Sequence, residues 1–229
     1  AGSAAGELSL ADLGEWSLIE RLARFAPPGQ FDDDAALIAA DPRGSSSRLV
    51  VNTDVLVENV HFSDRTTAPE DVGWRAAMAN LSDLAAMGCT AVVGLTVALV
   101  APASTPWSWV EGVYTGLQEA LEASGGVLLG GDCSSGQDRL LSITALGRLP
   151  DDGTGGVIQR SAGRPGDRLL ASGVHGLSRL GLALLREEAV RGLERISPDQ
   201  LARLRDRAIQ AHRRPRGRFD VVEALGRCR

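Results

Sequence analysis

Apolar positions change their spacing several times along the chain, and each change marks an element. In EWSLIERLARFA (15–26), Trp16, Leu18, Ile19, Leu22 and Phe25 share one helical face, and PPG at 27–29 stops the helix. AALIAA (35–40) predicts a short strand, DPRGSSS (41–47) a turn or loop, and the β-branched run RLVVNTDVLVENVHF (48–62) a long strand. Residues 67–88 begin with Thr and Pro, carry acids in the first turn, continue with Ala-rich periodicity and close on Gly88, which predicts a helix. A buried strand over 89–101, an amphipathic helix over 106–125 and strands over 126–132 and 139–149 follow. Strands and helices in this order predict α/β or α+β layering.

The pattern thins after residue 150. PDDGTGGV (150–157), dense in Gly and Asp, is the candidate linker. Beyond it DRLLASG (167–173) reads as a strand, and LSRLGLALLREEAV (177–190) and SPDQLARLRDRAIQAH (197–212) as helices. RFDVVEALGRC begins a last helix. The expected organisation is a first domain over 1–150 and an incomplete second one over 151–229, since about 75 residues with one strand are thin for an independent core.

Composition narrows the function classes. The 229 residues are 44% hydrophobic and 23% charged, which is ordinary for a globular chain. No apolar run approaches the roughly 20 residues that span a bilayer. The first residues lack the regions of a signal peptide, so a cytoplasmic protein is expected. A net charge of −5 and a pI near 5.3 argue against extended contact with a nucleic-acid backbone, despite the basic segment HRRPRGR (212–218). All 24 basic residues are arginines, which excludes a lysine Schiff base or a P-loop lysine. Cys89, Cys133 and Cys228 are odd in number and not at metal-ligand spacing, so reduced thiols are expected.

Four places carry acids where propensity does not put them. Asp32, Asp33 and Asp34 stand together before an apolar strand. Taken alone they divide evenly between a solvated turn and a cation site. Asp54 interrupts a β-branched run, where a bulge or edge position is the plain alternative. Asp83 lies in the apolar MANLSDLAAMG with no basic residue three or four positions away, although Asn80 or Ser82 could hydrogen-bond nearby. Asp132 closes LLGGD, where a hairpin turn is the simple reading and Gly130 with Gly131 would let backbone approach a ligand. Four acidic positions without a Cys/His pattern suit Mg²⁺ and phosphoryl transfer better than zinc.

DDDAALI, NTDVLVENVHF, NLSDLAAMGCTA, LLGGDCSSG and IQRSAGRPGD occur in the order and spacing of the thiamine-monophosphate kinase family. The resemblance runs from about Gly14 to Ala224, and NLSDLAAMG is shared by the wider superfamily that includes aminoimidazole ribonucleotide synthetase. It implies an aminoimidazole ribonucleotide synthetase-like N-terminal domain, with a mixed sheet and helices, followed by part of a second α/β domain. It implies transfer of the γ-phosphoryl of ATP to thiamine monophosphate, with Mg²⁺ as cofactor and ATP as co-substrate. Carried over by position, Asp34, Asn52, Thr53, Asp54, Asp83 and Asp132 would be metal ligands, with Asp33 second to Asp34 in the triplet. Gly131, Asp132 and Arg160 would meet the nucleotide, and His61 the thiamine phosphate. No catalytic side chain is implied beyond the metal ligands. A homodimer paired through its sheets is expected, with no nucleic-acid or membrane partner.

The chain departs from that pattern in three ways. Asp32 stands where the family has Gly, Asn52 replaces the usual Ser, and the chain ends before the family's D-x-S-D-G segment. It is therefore expected to be a fragment or a shortened paralogue. The alternatives to a kinase are a truncated nucleotide-binding and dimerising module, or a selenophosphate synthetase-like branch, against which the ENVHF ending and the lack of a reactive N-terminal Cys speak.

Overall fold

The computed structural model describes residues 10–38, 48–150 and 157–226. Its centre is a mixed sheet in the order β1-β2-β5-β3-β4, formed by β1 (Ala36–Ile38), β2 (Leu49–Val57), β3 (Ala91–Ala101), β4 (Val127–Ser135) and β5 (Leu140–Arg148). The first four positions pair antiparallel, and β4 joins β3 in parallel. A parallel neighbour needs a crossover, which α3 (Trp107–Ser124) supplies; α2 (Pro69–Ala86) links β2 to β3.

Alternation decides which face is covered. On β5, Leu141, Ile143 and Ala145 are buried while Ser142 and Thr144 between them are half-buried. Val50, Leu95, Val97, Leu141 and Ile143 from the sheet meet Val72, Leu81, Leu84, Val113 and Leu117 from α2 and α3 in one core. Each fully buried leucine contributes about 1.5–3 kcal/mol. The two helices touch at Gly73 and Gly116. A Cβ on Gly116 would lie 1.8 Å from the Glu70 carbonyl oxygen, and one on Gly73 1.9 Å from that of Val113.

Several elements differ from the sequence expectation. α1 (Leu10–Leu22) starts earlier than its apolar stripe and continues as a 3-10 turn, Ala23–Phe25; Leu18 and Ile19 are half-buried, while Trp16 is 77% and Phe25 75% exposed. β2 stops at Val57, because a turn through Asn59 (φ 61°) brings Phe62 back beside Glu58. Ala68 caps α2 without a side-chain bond, while Thr67 is buried against the Thr66 hydroxyl. DRLLASG forms no strand. Leu169 and Leu170 are 101% and 92% exposed, with no strand edge beside them to complete a ladder.

Beyond residue 157, α4 (Leu177–Leu185) packs on α5 (Pro198–Arg213), and α6 (Phe219–Gly226) follows. α4 is shorter than its apolar pattern, since Glu187 turns out of the helix at φ 58°. α5 opens on a capping box between Ser197 and Gln200. The loop over 41–47, most of the linker (151–156) and Cys228 lie outside the described residues.

The basic segment HRRPRGR has an internal use. Arg214 donates from Nε to Asp71 at 2.6 Å, pairs with Glu119, and lies over the Trp74 ring. The Trp74 indole N–H donates to the Pro215 carbonyl at 2.6 Å, and Arg213 donates to the Thr66 carbonyl at 3.0 Å. These bonds tie α5 and the following loop to α2 and α3. Among the described residues, no helix is long and apolar enough to cross a membrane.

Candidate active site

Asn80, fully buried on α2, organises the acidic residues. Its carboxamide oxygen accepts the Asp54 backbone N–H at 3.0 Å and faces the Asn52 amide at 3.4 Å. Its own amide donates to the Ala76 carbonyl at 3.0 Å. Asn52 also donates to Asp83 Oδ2 at 3.0 Å. Asn52 and Asp54 are two apart on β2 and so share the face that α2 covers. One strand face and one helix thus bring Asn52, Asp54 and Asp83 together.

The electrostatics there are uncompensated. Burial, and then the Asp54 carboxylate nearby, push the Asp83 carboxyl up to about 6, against the Asn52 hydrogen bond, which favours the charged form. The Asn52 carboxamide oxygen is buried without a hydrogen-bond partner. Among the described residues, no ion pair reaches Asp54 or Asp83, and no three His, Cys, Asp or Glu side chains gather as a metal site. Two carboxylates and an orphaned amide oxygen therefore form the donor set on this face.

Asp34 sits in the loop before β1, and its carboxylate is held by the Arg160 guanidinium. Asp33 accepts the Arg160 backbone N–H at 2.7 Å and the Gln159 amide at 3.4 Å. Two residues with different expected tasks, Asp34 for metal and Arg160 for nucleotide, are thus paired with each other. Asp32 is exposed and is not among the residues with positive φ, so the replacement of Gly there strains nothing.

The remaining expected ligands stand apart. Thr53 points to the opposite face of β2, where its hydroxyl meets that of Thr144 at 2.8 Å. Asp132 shares a row with Ala98, Ser142 and Val55, the uncovered face, three strand spacings from β2. That is roughly 14 Å at about 4.8 Å per strand. Gly131 has a structural reason of its own, since a Cβ there would lie 1.8 Å from the Val97 carbonyl oxygen. His61 is exposed beyond the end of β2. Its Nδ1 accepts the Val57 backbone N–H at 3.0 Å, which leaves Nε2 as an outward donor. It lines a cavity of about 420 Å³ together with Asp54, Ser82, Arg75 and Pro215.

Arg75 is the member of this region that sequence reasoning missed. Its guanidinium donates to the His61 carbonyl at 3.1 Å. Only its position on α2, two turns before Asp83, hinted that it shares the wall of the site.

Comparison with known proteins agrees with this architecture. The domain described as AIR synthase related protein, N-terminal domain, matches residues 32–149, from the Asp triplet to the end of β5. The chain belongs to that family. Within it, the chain is 48% identical over 222 residues to the thiamine-monophosphate kinase of Prochlorococcus marinus, covering 96% of this chain and 62% of that one. It is 46% identical over 220 residues to that of Synechococcus elongatus, with the same coverage of 96% and 62%. The solved structure of AaThiL complexed with AMPPCP and TMP matches with a TM-score of 0.80 at 32% identity, over 97% of this chain and 65% of that chain. Thiamine monophosphate kinase from Aquifex aeolicus matches with a TM-score of 0.75 at 32% identity, over 96% and 66% of the two chains. The chain thus spans 62% of the length of the first two kinases.

Proposed function

We propose that this chain forms the metal- and nucleotide-handling part of a kinase that moves the γ-phosphoryl of ATP onto the phosphate of thiamine monophosphate, giving thiamine diphosphate. The named relatives are kinases of that substrate, and one neighbour is described with AMPPCP and TMP. The observation that carries the reading is the partnerless buried oxygen of Asn52 between two carboxylates that no cation compensates.

That donor set fits Mg²⁺, which takes oxygen ligands and is commonly held by one or two carboxylates with phosphate and water. Asp54, Asp83 and the Asn52 oxygen would hold it, with Asp34 joining from the adjacent loop. When bound, Mg²⁺ supplies neutralisation of phosphate charge and alignment of the reacting oxygens. The rest falls to the chain. Asn80 fixes β2 to α2 and so presets the spacing between Asp54 and Asp83. His61 offers its Nε2 donor to the acceptor phosphate from the shared cavity. Arg160, once off Asp34, is free for the phosphates of ATP. A phosphate monoester, with a second pKa near ~6, is largely ionised at neutral pH, so no protein base is needed.

The reading includes a cytoplasmic homodimer and a domain boundary near residue 150. β4 is exposed along its whole length, with Val127, Leu128 and Leu129 uncovered and Trp107 71% exposed nearby, a surface suited to a second copy. Asp132, with Gly131 beside it, is too far from Asp54 to share one ion within a chain, so a second copy is the natural route by which it serves the site.

A second reading, a nucleotide-binding module without turnover, is favoured by the uncovered Leu169 and Leu170. Incubation with Mg²⁺, ATP and thiamine monophosphate separates the two. Thiamine diphosphate that disappears in Asp83→Asn supports the kinase. Mg²⁺-dependent ATP binding without product supports the module, and absence of both removes both readings.

A further inference from the structure

A second cavity, of about 660 Å³, opens on the other side of His61 and Arg75 from the acidic pair, and its charge is opposite. Arg65 reaches it from the loop after β2, Arg75 from α2 and Arg186 from the end of α4, with one carboxylate, Glu188, in the wall. That carboxylate is divided: it pairs with Arg179 at 2.8 Å and meets Arg186 only at 3.9 Å. Arg65 has no ion pair or hydrogen bond among the described residues. Arg75 has only the His61 carbonyl, and the nearest acid on its helix, Asp71, is engaged by Arg214 at 2.6 Å. Burial lowers the pKa of Arg75, against the Asp71 carboxylate, which raises it and is shared with Arg214.

His212, 5% exposed, lies in the same wall. Its pKa is pushed down to about 4, first by burial and then by the charges of Arg75, Arg186 and Arg213. Its Nδ1 lies 3.3 Å from the Ser178 hydroxyl, and its Nε2 is buried without a partner. With three arginines against one carboxylate, the wall is positive as a whole.

We propose that this cavity is a binding site for a phosphate-bearing small molecule, with Arg65, Arg75 and Arg186 taking its oxyanion. Guanidiniums from three separate elements suit a tetrahedral oxyanion, which accepts forked N–H bonds from several directions. The same charges disfavour a cationic heterocycle such as a thiazolium ring beside the three guanidiniums. The site needs no Mg²⁺, and the proposal does not depend on the kinase reading.

Calorimetry of the whole chain in chelator tests it, with inorganic phosphate and glycerol phosphate as titrants. Saturable binding without Mg²⁺ is expected, weakened about tenfold or more in the double variant Arg65→Gln/Arg186→Gln and unchanged in Asp83→Asn. Both replaced arginines have exposed side chains, and an unchanged circular dichroism melt confirms that the double variant folds. Tighter binding of glycerol phosphate identifies an organic phosphate, and equal binding the free ion; either supports the site. No saturable binding, equal affinity in the double variant, or loss in Asp83→Asn would overturn it.

Discussion

Two clusters of charge flank β2 and follow opposite rules. Beyond its end, Glu58 is paired with Arg139, which also donates to Asp64 at 2.8 Å and lies over the Trp109 ring at 4.6 Å. The hydrogen bond to Arg139 holds the Glu58 carboxyl below the usual range, and that with Glu58 raises the pKa of Arg139. Midway along the strand, Asp54 and Asp83 lie near each other with no ion pair to a base among the described residues, and the Asp83 carboxyl is pushed up to about 6. The first cluster is internally complete and serves stability. The second is incomplete and fits a ligand. Charge balance, rather than burial, distinguishes them.

The largest effect should come from breaking the balanced cluster. Arg139→Met leaves Glu58 without its partner in a largely buried site and should cost about 3 kcal/mol in urea unfolding, with the denaturant slope unchanged. A loss below about 1 kcal/mol would place this pair with ordinary surface pairs and erase the contrast.

A smaller change of opposite sign is expected at the unbalanced cluster. The folded-state pKa of Asp83 is raised, so between about pH 4 and 6 the folded state keeps a proton that the unfolded chain has lost. This residue therefore makes stability fall as pH rises through that window, and its cost remains in full above it. Asp83→Asn should remove that slope and, without Mg²⁺, raise stability at pH 7 by on the order of 1 kcal/mol after allowance for solvent screening. Melting curves at pH 4, 5, 6 and 7 check both points. A destabilised Asp83→Asn protein at pH 7 would show that the carboxylate has a cationic partner beyond its bond from Asn52.

The smallest effect concerns Arg160, which holds Asp34 while the acidic pair has no cation. Arg160→Gln should change stability by no more than about 0.5 kcal/mol, because the pair is exposed on the arginine side. It should tighten Mg²⁺ binding a few-fold by removing a competing cation. Calorimetric titration with Mg²⁺ reads this directly, and an unaltered affinity would separate Asp34 from the ion's site.

The part of the chain up to residue 150 was legible because its signals are strong and local. The β-branched run of β2 and the Pro, acids and Ala-rich periodicity of α2 point to the elements that form. The acids stood out because Asp is rare inside strands and apolar helices. The failures have physical causes too. The apolar stripe of α1 is only partly covered, with Trp16, Leu22 and Phe25 exposed, and strand propensity in DRLLASG meets no neighbouring strand among the described residues. β2 ended early because Asn59 adopts a turn conformation that no periodicity encodes.

The sequence by itself determined most element types up to residue 150, the unusual acidic positions and the use of arginine and no lysine in these 229 residues, all of which depend on residue identity and short-range spacing. Only the tertiary structure decided which acids meet. Strand order put Asp132 three strands from Asp54, and the pleat turned Thr53 away, while Asn80 joined Asn52, Asp54 and Asp83 across 31 residues of chain. It also placed Arg160 on Asp34 and gathered Arg65, Arg75 and Arg186 around one cavity. Such juxtapositions depend on sheet order and helix packing, which spacing along the chain does not specify.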